Sequence, residues 1–298
     1  MGSDELRVER DDRVITITLD RPGDQNRLTR DVLLGLQQVV DRLGGDDEAQ
    51  AVVITGSGRE FFSMGILNPT VRASYTKEQI LEMVRLANRL YDAIETLPQI
   101  VIAALNGAAR AGAAELSLAC DIRLAASHAT FALPEALWGG FPGAGGPVRL
   151  PAIVGRARAL ELICTGRTID AGEMERLGLV LAVHPEERLL PEARALAARI
   201  GASGPIATRG AKRIMNARMV SGFTAARTLS DALRTRSSGA TTSTRAWSLI
   251  ARGGRRGSAG VDAAGVARRY VRRWREPFFE KRDDAVQPGH DVTTEPRQ

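Results

Sequence analysis

Apolar and polar positions along this chain switch between two periods, one suited to strands and one to helices. Residues 13–19, Arg-Val-Ile-Thr-Ile-Thr-Leu, alternate in steps of two and predict a half-buried strand, closed by the turn residues Arg21-Pro22-Gly23-Asp24. Thr29 then stands as an N-cap before a helix whose apolar positions are Val32, Leu33, Leu36, Val39, Val40 and Leu43. Gly44-Gly45 ends it. The unbroken apolar run at 51–55 predicts a buried strand. Helical spacing returns over 77–97, where Ile80, Met83, Val84, Leu86, Ala87, Leu90 and Ile94 share one side and Pro98 stops the element.

A second buried strand at 100–105 runs into Asn106-Gly107, and a helix over 113–119 precedes extended pieces at 122–126 and 130–132. Helices are expected at 155–165, 170–177 and 188–201, with a short strand at 179–183. Buried strands alternating with helices predict an α/β architecture. After Pro205 the pattern is helical only, at 206–219 and 223–236. A Ser-, Thr-, Gly- and Arg-rich stretch at 237–265 reads as loop, 266–276 as a basic helix, and 283–298 as a disordered tail. The chain thus divides into a core over 1–205, a helical region over 206–282 and the tail.

Composition narrows the class without naming a task. With 298 residues, 44% hydrophobic and 26% charged, the chain has enough material for one large core or two modest ones. No apolar run suits a membrane span, and the acidic start Met1-Gly2-Ser3-Asp4-Glu5 lacks a signal core, so the cytoplasm is expected. Cys120 and Cys164, each among aliphatic residues, are expected to be buried free thiols. No His/Cys/carboxylate cluster has metal-ligand spacing, so no metal is expected. The net charge of +6 is concentrated between Arg245 and Arg282 and carried almost wholly by arginine. That skew, beside abundant Ala and Gly, suits a GC-rich coding sequence better than a nucleic-acid partner.

The residues that carry chemistry are two glutamates and three glycine-rich junctions. Glu115 lies in the apolar run Ala113-Ala114-Glu115-Leu116, and Glu135 follows Phe131-Ala132-Leu133-Pro134. Alone, each has an ordinary reading, as a solvated helical glutamate or as a first-turn residue. Held close together, two carboxyls divide acid and base roles, because burial and mutual repulsion separate their pKa values. The junctions are Met64-Gly65-Ile66-Leu67, Ala111-Gly112-Ala113 and 139–146. Glycine lets backbone N–H groups approach a ligand, and two that converge stabilise an oxyanion.

Taken as a linked set, these residues resemble the crotonase (enoyl-CoA hydratase/isomerase) superfamily. The matching strings run from Ile102-Ala103-Ala104-Leu105-Asn106-Gly107 through Gly112-Ala113-Ala114-Glu115-Leu116 to Cys120-Asp121-Ile122-Arg123. They continue in Phe131-Ala132-Leu133-Pro134-Glu135, Pro142-Gly143-Ala144-Gly145-Gly146, Thr165-Gly166-Arg167, Leu177-Gly178-Leu179-Val180 and Lys212. The resemblance implies a spiral of ββα units with a helical C-terminal region packing homotrimers or homohexamers. It implies hydration of a 2-enoyl-CoA, with coenzyme A as part of the substrate and no separate cofactor. In that reading Ile66 and Gly112 donate the oxyanion-hole N–H groups, and Glu115 and Glu135 are catalytic. Met64, Leu67, Trp138 and Gly143 line the substrate and water pocket, and Arg27 is a candidate contact for coenzyme A.

Three departures from the family pattern bear on the acyl group. Met64, Ile66 and Leu67 replace the usual small residues and acid, Ala111 and Ala113 replace common glycines, and the region after about 236 lacks apolar helices. Two other functions therefore stay open: isomerisation, hydrolysis or carbon–carbon cleavage of another acyl-CoA, and a degenerate scaffold binding nucleic acid through residues 245–282.

Overall fold

The computed structural model describes residues 5–140 and 142–217. Its first element is a strand that the periodicity does not announce, β1 (Leu6–Asp11), which turns back at Asp12 to pair antiparallel with β2 (Val14–Leu19). All six residues of β2 are buried, including Thr16 and Thr18. The expectation of a half-buried strand is corrected here: a later helix covers the second face, and its Arg194 Nε reaches the Thr16 hydroxyl at 3.3 Å.

Helix α1 (Arg30–Leu43) starts where the cap predicts, with Thr29 Oγ1 accepting the Val32 N–H at 3.3 Å, and buries the six expected apolar side chains. Strand β3 (Ala51–Gly56) follows, then the short β4 (Phe61–Ser63) and α2 (Pro69–Arg72). The long α3 (Lys77–Thr96) opens with a reciprocal capping box between Thr76 and Gln79 and buries Tyr91 beside the aliphatic stripe. Next come β5 (Ile100–Leu105), β6 (Ala108–Arg110) and α4 (Gly112–Ala119), which is buried along its whole length. Strands β7 (Ile122–Ala126) and β8 (Thr130–Ala132) lead through a 3-10 turn at Pro134–Trp138 into α5 (Gly146–Val154), α6 (Arg156–Thr165), β9 (Ile169–Asp170) and α7 (Ala171–Arg176). Strand β10 (Ala182–His184) begins three residues later than 179–183 predicts, because Leu179 and Val180 fold back onto Met174. Helix α8 (Glu186–Gly201) and a helix α9 at 205–217 complete the described chain.

Two sheets organise these elements. One has the order β1-β2-β3-β5-β7-β10, parallel apart from β1; the other is β4-β6-β8-β9, parallel apart from β9. The chain places a strand in the first sheet, a strand in the second and then a helix, three times over. That is the expected ββα spiral. The ends of β4, β6 and β8 lie side by side; β4 and β6 lead directly into glycine-rich junctions, and β8 reaches the third through the 3-10 turn at Pro134–Trp138. Stacking successive turns thus gathers residues 64–67, 111–115 and 133–146 at one edge.

Two side-chain clamps hold the spiral in register. Asn26, at φ 51°, donates through Nδ2 to Ser57 O and Phe61 O, both at 2.8 Å, while Asn106 Nδ2 donates to Gly58 O at 2.8 Å. At the far end Lys212 of α9 is buried, with its Nζ 2.7 Å from Asp121 Oδ2 and 3.0 Å from Gln99 O. Asp121 in turn accepts the Val101 N–H at 2.8 Å. Residues up to Asn216 form one compact unit; the sequence-based division at 205 precedes this Lys212 anchor. The expected helix at 223–236, the loop at 237–265, the basic helix at 266–276 and the tail at 283–298 lie outside the described residues. No described helix is long and apolar enough to cross a membrane. Cys120 is buried as expected, but Cys164 is exposed, because it falls on the solvent side of α6.

Removing one partner of a buried ion pair strands the other charge in a poor medium. Lys212→Met is expected to destabilise the protein by about 3 kcal/mol in chemical denaturation. Adding Asp121→Asn to it recovers part of that loss. A Lys212→Met variant as stable as wild type refutes the anchoring role.

Candidate active site

Helix α4 turns directly out of β6 of the second sheet at Ala111, which adopts φ 52°, ψ −129°, an unusual conformation for a residue with a side chain. Its strain is offset by the Ala111 N–H bond to Ala132 O at 3.0 Å. The turn aims the Gly112 N–H out of the helix start. Gly65, at φ 81°, brings the Ile66 segment so close that a β-carbon on it would lie 2.9 Å from the Gly112 nitrogen and 2.5 Å from Arg110 O. The Ile66 side chain in turn covers the Gly112 Cα. Residues 66 and 112 are therefore neighbours. Among the described residues, neither N–H donates to an acceptor.

Both of these peptide units are fixed from behind. The Gly65 carbonyl, on the peptide that carries the Ile66 N–H, accepts from Leu28 N at 3.1 Å. The Ala111 carbonyl, on the peptide that carries the Gly112 N–H, accepts from Glu115 N at 3.1 Å. Tyr91, fully buried on α3, donates its hydroxyl to Gly112 O at 2.7 Å, and burial pushes the ionisation of that phenol well above its ordinary value. It acts as a neutral donor.

One turn into α4, Glu115 is 2% exposed. Its Oε1 accepts two backbone donors, Ala144 N–H and Gly146 N–H, both at 2.8 Å. Burial pushes the carboxyl up to about 8; the Glu135 charge acts in the same direction, while the two N–H groups and Arg149 oppose it. Glu135 sits at the start of the 3-10 turn, half-buried, and burial pushes its carboxyl up to about 7. Its Oε2 is shielded from solvent and accepts no hydrogen bond among the described residues. A shielded, unpartnered carboxyl oxygen is costly unless a ligand or water completes it. The Glu135 charge acts on Glu115, and burial holds both carboxyls above their ordinary range, so the two titrate as a coupled pair.

The remaining predicted positions are distributed unevenly. Gly143 belongs to the loop that meets Glu115, and its carbonyl accepts from Asn88 Nδ2 at 2.9 Å. Met64 and Leu67 flank Ile66 and are partly buried. Trp138 closes the 3-10 turn at the surface, 38% exposed, with Leu137 beside it 65% exposed. Arg27 is buried, and its guanidinium donates Nη2 to Ile66 O at 3.2 Å with Asp24 3.8 Å away. Its visible work is to brace the Ile66 segment. Sequence reasoning passed over Asn88, Tyr91 and Arg149. Arg149 is buried and donates to Ala144 O at 3.2 Å while pairing with Asp92 at 2.6 Å and Glu95 at 2.9 Å. The available signal was Pro147-Val148-Arg149-Leu150, an apolar helix start with one arginine inside it, opposite an acidic pair three apart on α3. Among the described residues, no group of three or more His, Cys, Asp or Glu is arranged to hold a metal ion.

Residues 9–245 match the family model described as enoyl-CoA hydratase/isomerase. The YngF protein of Bacillus subtilis is 40% identical over 216 residues, covering 72% of this chain and 83% of the relative. A crotonyl-CoA hydratase of Syntrophomonas wolfei is 35% identical over the same length, with the same shares. Among solved structures, an enoyl-CoA hydratase from Bacillus anthracis superposes with a TM-score of 0.75 at 35% identity, covering 78% of this chain and 90% of that one.

The raised carboxyls make stability depend on pH in a defined direction. Between the ordinary value near 4.5 and about 8, the folded state holds more protons than the unfolded chain, so stability falls as pH rises through that window. Glu115→Gln keeps an oxygen for both backbone donors and removes the charge. It is expected to exceed wild type at pH 9 by on the order of 3 kcal/mol and to match it at pH 4 in denaturant titrations. An equal difference at the two pH values refutes the raised ionisation of Glu115.

Proposed function

The chain belongs to the enoyl-CoA hydratase/isomerase family, and from that premise we propose that it adds water across the 2,3 double bond of a 2-enoyl-CoA thioester. The observation that carries this reading is the pair Glu115 and Glu135, one tied to two backbone donors and the other with an unsatisfied oxygen in the same buried setting. Isomerisation needs one group to move a proton between carbons. Hydration needs two functions at once, because a water must lose a proton as it attacks and a carbon must gain one.

In the proposed mechanism the thioester carbonyl oxygen accepts from the Ile66 and Gly112 N–H groups. Their unpaired state and fixed peptide planes support that role, since a preorganised donor needs no rearrangement as charge develops. Water sits between the carboxyls. Glu115 takes a proton from it as its oxygen bonds to C3, and the electron pair of the double bond moves onto the thioester as an enolate. Glu135 delivers a proton to C2, and the enolate collapses to the 3-hydroxyacyl-CoA. Burial raises both carboxyls toward neutrality, so a proton passes between the coupled pair at small cost. The form with Glu115 ionised and Glu135 protonated lies only slightly above the reverse form favoured in the free protein. Met64, Ile66 and Leu67 border the acyl side and favour an apolar acyl group. Arg27 serves coenzyme A through the segment it braces.

Turnover of short, long and aryl 2-enoyl-CoA substrates tests the reading directly. Wild type is expected to yield a 3-hydroxyacyl-CoA, and Glu115→Gln and Glu135→Gln are each expected to lose more than about 100-fold in kcat. A shifted double bond without added water, or undiminished turnover in both variants, overturns the assignment.

A further inference from the structure

The two N–H groups that meet Glu115 are each one end of a peptide unit whose other end is also bonded. The Gly143 carbonyl lies on the peptide that carries the Ala144 N–H, and it accepts Asn88 Nδ2 at 2.9 Å. The Gly145 carbonyl lies on the peptide that carries the Gly146 N–H, and it accepts Val148 N at 3.1 Å and Arg149 N at 3.0 Å. Between them, the Ala144 carbonyl accepts Arg149 Nη1 at 3.2 Å. A hydrogen bond to a peptide carbonyl polarises the N–H at the far end of the same unit and fixes its plane.

All of this is fastened to one helix. Asn88, Asp92 and Glu95 follow one another on α3 at spacings of four and three, which places them on a single face. Asn88 reaches the loop directly. Asp92 and Glu95 reach it through the buried Arg149.

We propose that Asn88 and Arg149 are positioning residues for Glu115, holding the loop at 143–146 by its carbonyls so that two N–H groups converge on one carboxyl oxygen. Only the catalytic consequence rests on the hydratase reading; the positioning itself does not. The charged and titratable groups that face Glu115 are Glu135 from the 3-10 turn, Tyr91 from α3 and Arg149 from α5, with Cys120 behind Tyr91. Tyr91 and Cys120 stay neutral because burial pushes both upward, the thiol to about 12. Glu135 and burial favour the protonated form of Glu115; Arg149 and the polarised N–H groups favour the ionised form. Weakening either support therefore moves the Glu115 midpoint upward.

The test reads that midpoint without substrate, by isotope-edited infrared titration of the full-length protein, with the Glu115 carboxyl band assigned by its loss in Glu115→Gln. Asn88→Ala and Asn88→Ser, which lose the reach to the Gly143 carbonyl without changing any charge, are each expected to raise the midpoint by about half to one pH unit. Arg149→Lys, which keeps the charge and loses the fork, is expected to shift it by less. With 2-enoyl-CoA, the pH profile of kcat moves the same way, kcat falls about ten-fold and KM changes by less than about two-fold. Asn88→Ser keeps a small polar side chain at this partly buried position and serves as the second variant should Asn88→Ala fold poorly. An unmoved midpoint in both Asn88 variants, folded by circular dichroism, overturns the proposal. A shifted midpoint in a protein that hydrates no enoyl-CoA leaves the positioning standing and removes the reaction assigned to the site.

Discussion

Keeping one carboxyl group out of water is the constraint around which this structure is arranged. Glu115 sits on a helix with no polar face, and an isolated buried carboxylate costs several kcal/mol unless donors replace the lost solvent. The replacement comes from two backbone N–H groups of a loop far along the chain, Ala144 and Gly146. Bringing that loop to α4 requires β8 to lie beside β6, and α5 to start at Gly146 rather than later. It also requires α3 to lie within reach of both, since Asn88 and Tyr91 bond to the loop and to Gly112. The ββα spiral meets all of these conditions because each turn leaves its second strand and helix start at the same edge.

Much of the fold was legible because its signals are local. The Thr29 cap, the apolar stripe of α1, the run at 100–105 and the helix after Gly112 each follow from neighbours in sequence. What escaped notice depends on partners distant in the chain. The second face of β2 is covered by α8, about 180 residues on, so alternation there mistook buried threonines for exposed ones. Helix α5 was hidden behind glycines that read as a loop, although Pro147 in its first turn suits a helix start. Cys164 lies among aliphatic residues in sequence and at the surface in space.

The candidate site divides along the same line. Glu115, Glu135, Ile66 and Gly112 stand out because a carboxyl in an apolar run and a glycine at a helix start are unusual on their own terms. Asn88, Tyr91 and Arg149 do not. An asparagine, a tyrosine and an arginine on helices carry no mark of what their tips will touch, and Arg149 becomes telling only once Asp92, Glu95 and the Ala144 carbonyl surround it. Trp138 differs again, an aromatic beside the Glu135 turn whose side chain closes that turn at the surface, 38% exposed.

The hydrogen bonds that hold the Ile66 segment are made through its main chain. Leu28 takes the Gly65 carbonyl, Arg27 takes the Ile66 carbonyl, and Ser63 Oγ accepts the Gly65 N–H at 3.0 Å. None of these bonds uses the side chain of Met64, Ile66 or Leu67. The hydrogen bonds that set the direction of the Ile66 N–H are therefore independent of those side chains, and what a substitution at Ile66 disturbs is its packing on Gly112. Separating the hydrogen-bonded backbone from its side chains makes such a segment easy to diversify, with core packing at Ile66 and partial packing at Leu67 as the constraint those side chains still carry.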